Sequence, residues 1–151
     1  IELQQDKDKR YDMLILDAFS SDSVPAHLLT KEALQLYLER TADTGLLMFN
    51  VSNRYYRLHG VFARLAKEYG LTGLTVSDVV KDDAIGRMPS EWVLLARPGV
   101  DVSGMVAKGW TPLADEGFAL WTDDYANVMA ALKLWSPDKV STGEGTQHEQ
   151  R

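Results

Sequence analysis

Apolar residues come in blocks along this chain, and the blocks alternate between two periods. Tyr11-Asp-Met-Leu-Ile-Leu-Asp17 sets four consecutive apolar residues between two aspartates, which predicts a short strand buried on both faces, as in a parallel sheet. A polar loop from Ala18 to Pro25 follows. From about Leu28 to Thr41 the apolar residues return at helical spacing, with Leu29, Ala33 and Leu36 beside Leu34, Tyr37 and Leu38. Thr44-Gly45 turns the chain into a second buried strand, Leu46 to Val51. Leu58, Val61, Phe62, Leu65, Ala66 and Tyr69 then mark one face of a helix, and Gly70 stands where a C-terminal cap belongs.

Leu71 to Val80 reads as a third strand with Thr72, Thr75 and Ser77 interleaved, and Glu91 to Arg97 as a fourth, stopped by Pro98-Gly99. Only a charged loop, Lys81 to Ser90, separates them, so they are expected to pair antiparallel. Val100 to Leu120 carries no more than short helical pieces. Thr122 is a candidate cap for a final helix, with Asp123 and Asp124 near its positive end and Tyr125, Val128, Met129, Leu132 and Trp135 as its apolar stripe. From Ser141 to Arg151 no hydrophobic residue remains, which predicts a frayed tail over 136–151. Alternating strands and helices predict an α/β fold, a mostly parallel sheet with an antiparallel last strand.

Composition narrows the function classes. The 151 residues are 45% hydrophobic and 25% charged, ordinary for one globular domain. A formal net charge of −6 gives no electrostatic footing for nucleic acid, whereas an amine suits such a surface. Cysteine is absent, which removes disulfides, thiolate metal sites and a cysteine nucleophile. His27 and His59 share no ligand spacing with acidic partners, so no metal is expected. No apolar run approaches the roughly 20 residues that span a bilayer, so this segment is expected to make no membrane contact. The chain opens at Ile1 without an initiator Met and reads as a piece of something longer.

Ligands of open α/β sheets bind beyond the carboxyl ends of strands, which singles out two loops. The first, after strand one, carries Asp17, Ser20 and Asp22; carboxylates there can hold an ammonium group and accept its proton. Alternatively Asp17 only ends the strand and Asp22 turns the loop. The second loop is Asn50-Val-Ser-Asn-Arg-Tyr-Tyr-Arg57, in which Asn53 and Tyr55 are candidates to line a substrate pocket, or Asn53 to cap the next helix. No glycine-rich strand-to-helix turn, the usual means of close approach to a nucleotide cofactor, occurs in the chain.

Three motifs in order carry a resemblance: Leu16-Asp-Ala-Phe-Ser-Ser-Asp-Ser-Val-Pro25, Asn50-Val-Ser-Asn-Arg-Tyr55 and Trp121-Thr-Asp-Asp-Tyr125. Over Tyr11 to Trp135 the chain resembles the spermidine/spermine synthase (polyamine aminopropyltransferase) family, above all the bacterial spermidine synthase-like proteins, some fused to membrane segments. The resemblance implies the C-terminal half of a Rossmann-like adenosylmethionine-dependent transferase domain over 1–135, with the N-terminal half that grips most of the cofactor absent. It implies aminopropyl transfer from decarboxylated S-adenosylmethionine to a polyamine or other amine. Asp17 would be the catalytic proton acceptor and, with Ala18, lie against the co-substrate; Ser20, Asp22, Asn53 and Tyr55 would face the acceptor. The family's second loop aspartate falls on Ser20 here, with Asp22 the nearest acid. A cytoplasmic homo-oligomer, or the cytoplasmic part of a membrane-fused protein, is expected, and this piece alone is expected to be inactive. The competing readings are an S-adenosylmethionine-dependent methyltransferase acting on another acceptor, and a non-catalytic domain of the same fold used for binding or oligomer assembly.

Overall fold

A computed structural model describes residues 9–19, 24–53, 55–84 and 86–133. Ser20, Asp22, Trp135 and the expected tail at 136–151 lie outside the described residues. The described chain is a mixed α/β unit with an open five-stranded sheet and three α-helices. In chain order the elements are β1 (Tyr11–Leu16), α1 (Lys31–Arg40), β2 (Thr41–Asn50), α2 (His59–Tyr69), β3 (Thr72–Asp78), β4 (Ser90–Ala96), α3 (Ser103–Val106) and β5 (Thr111–Pro112). Short 3-10 turns occupy Ala26–Leu28 and Val128–Ala131. No helix among these is long and apolar enough to cross a membrane.

The two longer helices follow from local signals. Thr30 caps α1, its Oγ1 accepting from the Ala33 amide at 3.2 Å, and Leu34 and Tyr37 carry the buried face. Gly70 ends α2 in the left-handed region at φ +62°, where a side chain would be strained. Val61, Phe62, Leu65 and Ala66 bury that helix against the sheet.

Strand order is β1-β2-β4-β3-β5. Only β1 and β2 pair in parallel; β2 with β4, β4 with β3, and β3 with β5 are antiparallel. The expected mostly parallel sheet is therefore corrected by pairing. By direction, β1, β2 and β3 run one way, and β4 returns between β2 and β3 the other way. The composition of β4 explains its place. Val93, Leu94 and Leu95 are 0% exposed, and a continuous apolar run buries most surface where both faces are covered. Thr72, Gly73 and Thr75 make β3 less apolar, and it lies next to the short edge strand β5.

The sheet faces are covered unequally. On one, Leu47, Phe49, Val51, Val93 and Leu95 pack under the two long helices. On the other, Leu74, Leu94, Ala96 and Trp110 gather with Val102 and Met105. At the β1 edge this second face is open: Met13 is 45% and Ile15 54% exposed. The strand expected to be buried on both faces is partly buried on one, through Leu14 and Leu16, and open on the other.

The expected final helix is also corrected. Thr122 and Tyr125 exchange backbone hydrogen bonds of 2.8 and 3.0 Å, a bridge that helical backbone cannot make. Tyr125 and Met129 are exposed, and Asn127, not Thr122, caps the short 3-10 turn that follows.

Candidate functional site

β1 and β2 lie side by side in parallel, with Leu16 opposite Phe49, so the loops that follow them emerge together at one sheet edge. Because β4 is antiparallel, its beginning reaches that same edge. Residues from three places in the sequence meet there for this reason alone.

Asp17 and Ala18 are exposed directly beyond β1. Phe19 then dives into the core at 0% exposure, its ring 6.2 Å from Phe62 edge-on and 6.4 Å from Phe49. A polar loop is thereby pinned by a buried aromatic two residues after its aspartate. Its far end is pinned as well. Leu29 and Thr30 are each 1% exposed, and the Tyr37 hydroxyl donates to the Leu28 carbonyl at 3.2 Å. Burial pushes the Tyr37 phenol up to about 12, which keeps it protonated and a donor.

Asn53 is 5% exposed and joins the two loops. Its Nδ2 donates to the Phe19 carbonyl at 2.7 Å, while Oδ1 accepts from the amides of Tyr55 and Tyr56, both at 2.9 Å. It turns the loop rather than capping α2, whose first residue is preceded by Leu58 with no side-chain cap. Tyr55 is 43% exposed. Ser52 ties the same loop to β4, its Oγ accepting from the Glu91 amide at 2.8 Å.

A cleft of about 510 Å³ opens beside this junction. Ser52 and Asn53 form one wall; Asp78 and Val79 at the end of β3, and Met88 to Glu91 at the start of β4, form another; Lys133 closes one side. Arg87 donates to Asp78 Oδ2 through Nη2 at 2.6 Å and Nε at 3.1 Å. That guanidinium, with the Val80 amide, holds the Asp78 carboxyl below its usual range. Val79 and Met88 leave apolar surface bare, at 82% and 61% exposure.

Of the residues singled out in the sequence, the structure brings Asn53 to the cleft and bonds it to the Asp17 loop; Asp17, Ala18 and Tyr55 are exposed nearby in the chain but do not line the cleft. Glu91 and Lys133 were missed. An antiparallel fourth strand places its start, Ser90-Glu91, beside the carboxyl ends of its neighbours, so the expectation of antiparallel pairing already contained that signal. Lys133 had none, being brought in by a long excursion of chain. No family model matches the chain, and no curated protein matches it.

Proposed function

We propose that this chain is the acceptor-side part of a Rossmann-like transferase that moves an aminopropyl group from decarboxylated S-adenosylmethionine to an amine. The observation that carries the proposal is Asp17, an exposed carboxylate at the carboxyl end of a parallel strand, on a loop fixed by the buried Phe19. The arrangement of three strands in one direction with an antiparallel β4 supports the fold assignment, since an antiparallel final pair is the variation expected of adenosylmethionine-dependent transferases.

The sulfonium co-substrate supplies an activated carbon whose bond to sulfur breaks to give a neutral thioether. Asp17 suits it by charge, and the buried Phe19 two residues on anchors the backbone that carries it. The acceptor nitrogen forms the new carbon–nitrogen bond, the carbon–sulfur pair leaves with methylthioadenosine, and the nitrogen's proton passes to Asp17 and then to water. The neighbouring cleft fits the rest of an aliphatic amine, with Val79 and Met88 against its methylene chain and Glu91 toward a cationic end.

A second reading, a non-catalytic domain of this fold, is favoured by Asn53, whose amide is spent on internal bonds rather than offered to a ligand. The full-length protein with decarboxylated S-adenosylmethionine and putrescine or spermidine separates them. Methylthioadenosine release is expected, and Asp17→Asn should lower it on the order of 10²-fold or more, as loss of a positioned proton acceptor does. Methylation with S-adenosylmethionine in place of that release points to a methyltransferase; neither activity leaves the binding domain.

A further inference from the structure

The Trp121-Thr-Asp-Asp-Tyr125 motif has no part in the chemistry above, and its placement gives it one. After β5 the chain runs as a strap across the helices, with Phe118 lying on Gly60. At its midpoint it meets the first turn of α1. The Thr30 hydroxyl donates to Asp123 Oδ1 at 2.7 Å, the Asp123 amide donates to Glu32 Oε2 at 3.0 Å, and the Lys31 amide donates to the Trp121 carbonyl at 2.8 Å. At its end the strap runs beside the β2 loop. The Arg57 amide donates to the Ala131 carbonyl at 2.8 Å and the Lys133 amide to the Tyr55 carbonyl at 2.6 Å. Lys133 Nζ donates to the Asn53 carbonyl at 2.7 Å, on the residue whose side chain holds Phe19.

We propose that the 121–133 strap is the positioning element of the site, a clamp that holds the Asp17 loop at both ends. Asp123 fixes the Thr30 end directly. Lys133 fixes the Phe19 end through Asn53. Asp123 is thus a positioning residue, set 93 positions from its partner in the chain. A helix N-terminus already capped by Thr30 does not need a second acceptor to form; the Asp123 carboxylate instead fixes where the capping residue sits. The bond is charge-assisted, and its donor is 1% exposed although Asp123 itself is exposed; an ionised acceptor makes it stronger than a neutral hydrogen bond.

That this positioning serves catalysis rests on the reading of Asp17 given above; the clamp itself does not. Backbone hydrogen exchange of the full-length protein tests it without turnover. Asp123→Ala should speed exchange in 24–30 by roughly tenfold or more, and Lys133→Met should do so in 17–19 and 55–57. Exchange in β3 and β4 should stay unchanged in both. Asp123→Asn keeps an acceptor oxygen and should restore near wild-type exchange in 24–30. Unchanged exchange at 24–30 in Asp123→Ala, or an equal rise across β3 and β4, overturns the clamp. Where the wild type releases methylthioadenosine, Asp123→Ala should lower kcat and Asp123→Asn should recover it; a wild type without turnover but with the expected exchange keeps the clamp and removes the transferase reading.

Discussion

Asn53 Nδ2 donates to the carbonyl of Phe19 across 2.7 Å, a bond that ties together the chain just beyond two neighbouring parallel strands. Its side chain satisfies three backbone groups at once, one carbonyl and two amides. Asn53→Ala leaves all three without that partner in a place that is 5% exposed, so a loss of about 2–3 kcal/mol is expected. Asn53→Asp keeps an acceptor for Tyr55 and Tyr56 but sets a carboxylate against the Phe19 carbonyl, and should cost at least as much. Urea unfolding of the three proteins measures both; a change below about 0.5 kcal/mol for Asn53→Ala, the range of ordinary surface substitutions, would remove Asn53 from this role.

Gly45 sits where β2 departs from regular pairing with β1. Tyr11 stands opposite Thr41, yet Met13 stands opposite Leu46, so β2 uses five steps where β1 uses two. A Cβ at position 45 would lie 2.6 Å from Thr41 Cγ2 and 2.9 Å from the Tyr11 carbonyl oxygen. The latter is backbone and cannot swing aside. Gly45→Ala should therefore destabilise by about 1–3 kcal/mol, the cost of forced overpacking, and disturb β1 more than β3. A thermal midpoint equal to wild type would show that the bulge relaxes without cost.

What could be read from the sequence is what is fixed locally. Gly70 stops α2 because the requirement for a left-handed residue is met within one turn, and the stripe from Leu58 to Tyr69 needs no distant partner to be visible. The position of β4 between β2 and β3 was not legible, because it depends on which strand buries its apolar run most completely. Thr122-Asp-Asp124 resembled a helix start, since acids near a potential cap are what such a start displays. The actual partners of Asp123, Thr30 and Glu32, stand about 90 residues earlier, beyond the reach of any periodicity argument. Asp17 was legible at the end of its strand, while Glu91 became a site residue only through strand direction.

Arg87 closes the loop between β3 and β4 by gripping Asp78, and this pair carries a pH signature. The carboxyl is held low first by the guanidinium and next by the Val80 amide. A depressed folded value means the bond contributes fully above the ordinary carboxylate range, near about 3.9, and is lost as pH falls through the lower folded value. The pair is exposed, so little global stability depends on it. Arg87→Met should raise the Asp78 midpoint toward the ordinary range in a carboxyl-detected NMR titration, with salt doing the same to a lesser degree in the wild type. An Asp78 midpoint indifferent to Arg87 would mean the loop is held by the reciprocal 2.9 Å backbone bonds of Asp82 and Arg87 alone.

Met13 and Ile15 project from β1 on the face where α3 does not reach, at 45% and 54% exposure. Opposite them in register stand Leu46 and Met48, themselves only partly buried. The four form a continuous apolar strip beside the outer edge of β1, which carries no strand among the described residues. An unpaired strand edge flanked by apolar side chains favours association. The 151-residue chain is therefore expected to self-associate with rising concentration in sedimentation velocity, and Ile15→Lys should shift it toward monomer. Since Ile15 makes only part of its possible contacts, that substitution should cost little stability, on the order of 1 kcal/mol or less. A monomer at all concentrations would disprove association through this strip. A large loss of stability from Ile15→Lys would instead mean that further chain packs on the strip, in which case it belongs to the core and not to an interface.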